Sequence, residues 1–377
     1  SGDARRGKLQ PQKSTESKFV PLACKFQLSI DLAGWPAMPM LHWASESFQN
    51  TCRTFSSPRR KSTMKSRFLP CLSVSLIVIA YGLSRGESVG ESKARMTAED
   101  AEGRGRPRAQ LFENLGNHEY NISTSSPEAQ EYFNQGLIWM YAFNHDEAIR
   151  SFSRAAELDK DCAMAWWGVS LAAGPQYNHP TLTKERTATA WEAMQKALDR
   201  IDNTTPSERA LILALRKRNA KEEPDKQGRA KLNEAYAAAM EEIWNNYPND
   251  PDIGTLYAEA KMLLRPWKLY SLDDRTPHKD TPQIVSALER VIAMAPIHPG
   301  ALHLYIHAIE PSQKPDMGLF AADRLSDLVP GSGHLLHMPC HIYLQTGMWD
   351  RGVVQSKKAM RSDDRYRRLS PEQSTQY

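Results

Sequence analysis

Through residues 129 to 162, large and small residues recur at the spacing of a helix pair about 34 residues long. Tyr132, Gly136, Trp139, Ala148, Phe152 and Ala155 fall where two antiparallel helices interlock, the small residues letting the backbones approach and the large ones filling the space. Ser125, Ser126 and Pro127 are suited to open the first helix as capping and first-turn residues, and Asn144 to Asp146 turn the chain into the second. One such pair cannot bury its apolar stripes alone, so further pairs are required to build a continuous core.

The spacing resembles a tetratricopeptide repeat, and further, more degenerate copies follow. Ala163 to Gly174 and Ala188 to Ile201 read as a second pair, with GPQYNHPTLTKER between them. Ser207 to Lys221 and Arg229 to Tyr247 form a third, joined through the charged stretch KEEPDKQG. Asp252 to Leu264 and Pro282 to Ala295 form a fourth, closed by Pro296. The last two span 299 to 329 and 333 to 361, the final one keeping Gly347 and Ala359 at the repeat spacing. No alternating strand pattern appears, so the expected class is all-α, a helical-repeat solenoid of tetratricopeptide-like antiparallel pairs over 116–366. Trp139, Tyr141, Phe143, Trp166, Trp167 and Trp191 are expected in its helix-on-helix core, with a peptide groove as the alternative.

Histidine is concentrated in the last two pairs. Five of the eleven histidines lie between Leu302 and Tyr343, where about one would fall by chance. His303 and His307 are four apart with Glu310 three further on, and His334, His337 and His341 are spaced three and four, so each set stacks on one helix face. Counting back from Gly347 and Ala359 puts His334, His337 and His341 at the second, fifth and ninth positions of their repeat. In tetratricopeptide folds these positions of the first helix line the concave groove. His303 and His307 then face the same groove from the neighbouring helix, about 8 to 10 Å away, where both sets would converge on one ion.

Neutral imidazoles with a carboxylate suit Zn, Cu or Fe rather than Mg or Ca. Glu310 is a candidate ligand, an acceptor fixing an imidazole tautomer, or a general base. Pro339 either bends the helix carrying His337 and His341 or marks its start. The alternatives for the histidines are hydrogen bonding to a bound peptide and ordinary structural roles. The pattern is not an HExxH zinc-protease helix, since Leu304 and Met338 stand where its glutamate would be. No P-loop, dinucleotide fingerprint, GxSxG elbow or CxxC pair is present, and no catalytic residue is assigned. Asn117, His118, Asn144, His145 and the loop Gly174 to Pro180 are expected to serve turns.

Met64 begins MKSRFLPCLSVSLIVIAYGLSRG, in which Lys65 and Arg67 precede an apolar run from Phe68 to Leu83. The run is shorter than the roughly 20 residues of a spanning helix, so 64–86 is expected to be a secretory signal peptide, with a membrane anchor over 68–83 as the alternative. Export to the periplasm, cell envelope or medium follows. Residues 1–63 are expected to precede the true start of the protein. They hold ten Lys or Arg against four Asp or Glu, so removing them takes the formal charge from +4 to −2 and leaves no argument for nucleic acid. Residues 87–115 are polar and charged, and read as a flexible linker. Cys162 and Cys340, which alone follow the signal region, are expected to be small buried residues rather than a disulfide framework.

The stretches STSSPEAQEYFNQGL, YAFNHDEAIRSFSRAAELDKDCAMAWWG and HLLHMPCHIYLQTG resemble a bacterial family of exported tetratricopeptide-repeat proteins with a His-rich signature, over roughly 111 to 366. That resemblance implies the fold, and His303, His307, His334, His337 and His341 as matching motif positions, but no reaction. After Ala359 the chain departs from the family. Ser370 to Gln373 look like the start of another helix, and 367–377 like a truncated polar tail. The expected function is an exported scaffold holding a protein or peptide partner in its concave groove; the alternative is a transition-metal protein or metalloenzyme using the same groove.

Overall fold

A capping residue followed by proline opens the first helix of four pairs, at Ser126–Pro127, Thr205–Pro206, Asp250–Pro251 and His298–Pro299. The cap satisfies amides the helix leaves unbonded, and proline has no amide to lose there. The computed structural model describes residues 109–373. They belong to the second of two units, Val89–Tyr377. The expected signal or anchor segment and residues 1–63 lie outside the described residues.

The helices are α1 (Pro127–Tyr141), α2 (His145–Leu158), α3 (Ala163–Ala173), α4 (Lys184–Leu198), α5 (Pro206–Arg216), α6 (Lys226–Asn246), α7 (Pro251–Met262), α8 (Thr281–Met294), α9 (Pro299–Ile309), α10 (Leu319–Leu325), α11 (Gly333–His337), α12 (Pro339–Gln345) and α13 (Trp349–Leu369). Among the described residues there is no strand, and the bridge between Tyr270 and Pro277 is isolated. No described helix is long and apolar enough to cross a membrane. The described residues are otherwise all-helical, with helices adjacent in sequence packed on one another, as α1 on α2, α2 on α3 and α3 on α4.

Phe152 of α2 shows how the pairs interlock. A β-carbon at Gly136 of α1 would lie 2.6 Å from the Phe152 ring, and one at Gly168 of α3 would lie 2.5 Å from it. Two glycines therefore clasp one phenylalanine between three helices, in a core that also buries Phe133, Trp139, Met164 and Trp167. Of the aromatic residues expected in the core, Tyr141 and Phe143 are buried too, while Trp166 and Trp191 are half-buried.

Several boundaries differ from expectation. α4 starts at Lys184 rather than Ala188 because the Thr183 side chain accepts from the Arg186 amide. Pro339 marks a helix start: Met338 ends α11 and begins α12. α13 continues to Leu369 and Ser370 is its C-cap, so among the described residues no new helix begins at Ser370. Residues 109–115, expected to close a flexible linker, instead pack on the helices. Tyr132 donates to the Ala109 carbonyl at 3.0 Å, Gln135 to the Gln110 carbonyl at 2.9 Å, and Leu115 is buried.

Contacts also reach beyond neighbouring helices. α9 packs on α1, where a β-carbon at Gly300 would lie 2.5 Å from the Tyr141 ring. Tyr366 of α13 stacks near Trp139 of α1 and donates to Glu147 of α2 at 2.9 Å. Repeat arrays built only of nearest-neighbour interfaces lack such contacts. Here they carry the last helices back to the first pair and enclose the histidines.

Candidate metal centre

α9 carries His303 and His307, with Glu310 as its C-cap residue. α11 carries His334 and His337, and α12 carries His341. The break at Pro339 divides the last three histidines between two short helices. Phe143, in the turn between α1 and α2, has φ of 57°, a left-handed conformation that costs a residue with a β-carbon roughly 1–2 kcal/mol. Its ring lies 4.4 Å from that of His303 and stacks on those of His307 and His334 at 5.7 and 5.5 Å. Tyr177 and Trp267 also pack against His307, each with ring centroids 5.4 Å away, and Trp267 has a left-handed φ, of 60°. His303, His307 and His334 are therefore buried, rather than lining an open groove.

The outer ring atoms settle what the inner ones present. His303 Nδ1 lies 2.6 Å from the Tyr141 carbonyl, which can only accept, so Nδ1 carries the proton and Nε2 of the neutral ring keeps its lone pair. His307 Nδ1 donates to Glu310 Oε1 at 3.4 Å, and its buried Nε2 has no hydrogen-bond partner. His341 Nδ1 donates to Glu310 Oε2 at 2.6 Å. Nε2 atoms then meet in two places: His303 and His334 at 3.0 Å, and His337 and His341 at 3.1 Å. One nitrogen from each of His303, His307 and His334 lies within 4.8 Å of the others.

Electrostatics favour the neutral form of His303, His307, His334 and His337. Burial drives His303 and His334 well below the ordinary histidine value, and neighbouring imidazoles add to the effect. Burial lowers His307 as well, against the pull of Glu310. His337 is brought down to about 4 by burial and by His341. Burial alone would raise Glu310, but hydrogen bonds from His307 and His341 outweigh it and hold the carboxyl at about 2. His303 and His307, steered by a carbonyl and an ionised carboxylate so that Nε2 keeps its lone pair, offer the donor chemistry of a transition-metal site, with His334 Nε2 facing that of His303.

A second cluster has similar residue types and the opposite tautomer logic. Asp252 Oδ1 accepts from His118 Nε2 at 2.9 Å and Tyr141 Oη at 2.7 Å, and lies 3.3 Å from His298 Nε2. His298 Nδ1, however, caps α9 by accepting from the Ala301 amide at 3.1 Å. The proton of the neutral ring is therefore on Nε2, where a metal would need the lone pair. Burial would raise Asp252, but hydrogen bonds from His118 and His298 hold it well below the carboxylate range. The cluster ties α7, α9 and α1 together beside a cavity of about 410 Å³ lined in part by Leu115, Ile297 and Val329.

The structure brings His303, His307, Glu310, His334, His337 and His341 into one contiguous array, but His337 and His341 fall outside the 4.8 Å set. Sequence reasoning placed Tyr141 and Phe143 in the core or a peptide groove and did not find that the Tyr141 carbonyl orients His303 or that the Phe143 ring packs on His303, His307 and His334. It assigned His118 to turn chemistry, whereas His118 bonds Asp252; Asn144 does serve a turn, capping α2. Cys162 and Cys340 are buried free thiols, as expected. No protein-family model matches the chain, and no curated protein matches it either.

Proposed function

We propose that this is a tetratricopeptide-type helical-repeat protein that holds a transition-metal ion between its last and first helix pairs. His303, His307 and His334 are the ligands of the buried centre, and Zn, Cu or Fe suits their neutral nitrogen donors. The observation that carries the reading is the convergence of one nitrogen from each of these three buried rings within 4.8 Å. In this reading Glu310 is not a ligand but the acceptor that fixes the His307 and His341 tautomers, since both its oxygens are engaged at ring Nδ1 atoms. Phe143, Tyr177 and Trp267 shield the centre from water.

The test is metal content by mass spectrometry of untagged protein expressed from Met64 and purified from the exported fraction. Expression from Met64 follows the signal-peptide reading of 64–86. Retention of a transition metal, lost in His303→Ala combined with His334→Ala while circular dichroism stays helical, supports the centre. Protein that retains no such metal after incubation with Zn(II) or Cu(II) sinks it.

The scaffold reading, in which the repeat holds a protein or peptide partner, draws on a different observation. Trp349, Val353, Val354 and Met360 of α13 are exposed apolar side chains. Substituting Trp349 and Val353 by Ser would weaken partner capture without changing metal content. If the substitutions leave capture intact, that surface is not the partner site.

A further inference from the structure

The array is too wide for one ion. Ligands about 2.0–2.1 Å from a zinc ion stand about 3.3 Å apart in a tetrahedron, and never more than about 4.2 Å apart. His303, His307 and His334, with donor atoms within 4.8 Å of one another, reach tetrahedral spacing by closing about 1.5 Å at most. His337 and His341 lie outside the set, yet their Nε2 atoms face each other at 3.1 Å, the separation of two ligands on a single ion.

We infer that the protein binds a second transition-metal ion at His337 and His341, beside the buried centre. The inference rests on the proposed function insofar as that reading makes the array a metal site. The geometry at the second position repeats the first. His341 Nδ1 is committed to Glu310 Oε2, which leaves Nε2 as the ring atom facing His337 and available to a ligand. His337 Nε2 shares either a proton or a cation with that nitrogen, as His334 does opposite His303.

The two positions differ in access. The buried centre is walled by Phe143, Tyr177 and Trp267, whereas the His341 side chain is 31 % exposed. An ion with two protein ligands there completes its coordination with water or a small anionic ligand. With three and two protein ligands respectively, both positions leave coordination to be completed from outside the protein, and the exposed one exchanges those ligands more freely. Glu310 connects the positions, holding His307 of the first with Oε1 and His341 of the second with Oε2. Occupancy of one is thereby coupled to ring orientation in the other.

The experiment is Zn(II) titration of the metal-free full chain, followed by calorimetry and by mass spectrometry after buffer exchange. Wild type is expected to take up about two equivalents in two affinity classes. His337→Ala combined with His341→Ala is expected to keep about one equivalent, in the tighter class, while His303→Ala combined with His334→Ala removes that tighter class. His337→Gln with His341→Gln serves as a second variant if the alanine pair loses helicity. Uptake of about one equivalent by wild type, lost with His303 and His334, overturns the second position and leaves the buried centre standing. Unchanged stoichiometry without the His337 and His341 imidazoles also overturns the second position. No uptake by wild type overturns both.

Discussion

Glu310 sets the proton positions of two imidazoles at once, one oxygen to each Nδ1. Glu310→Gln keeps the size but offers one acceptor and one donor, so one of the two rings meets an N–H where it needs an acceptor. Losing an acceptor that orients a ligating imidazole lowers metal affinity about 10–100-fold; a chelator competition with Zn(II) reads the drop, and unchanged affinity would mean the carboxylate does not orient the ligands. Glu147 makes a prediction about pH. It is fully buried, and burial raises its carboxyl above the ordinary value of 4.5, against the nearby Arg150 guanidinium and the Tyr366 and Ser370 hydroxyls. As pH rises past 4.5 the unfolded chain releases this proton first, so the fold loses stability until the raised value is passed. Glu147→Gln, having no proton to release, should gain stability relative to wild type over that window. Denaturant midpoints of both proteins from acid to neutral pH measure the gain, and parallel profiles would contradict the linkage. The histidines and Glu310 could be singled out from sequence because helical spacing alone stacks them. The Tyr141 carbonyl and the left-handed Phe143 could not, since one role belongs to the backbone and the other to a dihedral angle.

At the level of helices, most boundaries follow from chemistry visible in the chain. A capping side chain before proline stops and starts a helix whatever surrounds it, which is why α1, α5, α7 and α9 begin within a residue or two of expectation. The end of α13 was illegible for the opposite reason. SDDRYRRLSP is polar enough to suggest a tail, but Tyr366 is buried against Trp139 and Phe112, and that packing extends the helix. The Gly136–Phe152–Gly168 clasp gives the element-scale test. Gly168→Ala introduces a methyl where no space exists, costing about 1–3 kcal/mol by overpacking. Adding Phe152→Leu should recover part of that loss, because a smaller side chain relieves the same contact. A thermodynamic cycle over the two sites measures the coupling, and additive losses would show that the clasp does not limit the approach of α1, α2 and α3.

Closure of the last helices onto the first pair is the property of the whole molecule that the repeat pattern does not contain. A repeat pattern specifies interfaces between neighbours, and nothing in it places Tyr366 beside Glu147, a pair 219 residues apart in sequence. Gly300 against Tyr141 and Gln110 on the Leu369 carbonyl add further ties. The candidate metal centre depends on them, because His303 takes its orientation from a carbonyl of α1 while His334 arrives on α11. An open array and a closed one respond differently to damage at one end. In an open array, removing a buried side chain from the last helix loosens that helix and its neighbours, while distant repeats keep their protection. In the closed arrangement the same change must be felt by α1 and α2. Tyr366→Ala deletes a buried aromatic ring, a loss of about 3–5 kcal/mol, and leaves Glu147 without its best-placed hydroxyl donor. Amide hydrogen exchange should therefore accelerate in 127–158 as well as in 333–369, while α6, over 226–246, which makes none of these closing contacts, changes least. Acceleration confined to the C-terminal helices would mean that the ends are merely adjacent and that the first pair stands without them. It would also remove the physical reason for placing a metal ion where the two ends meet.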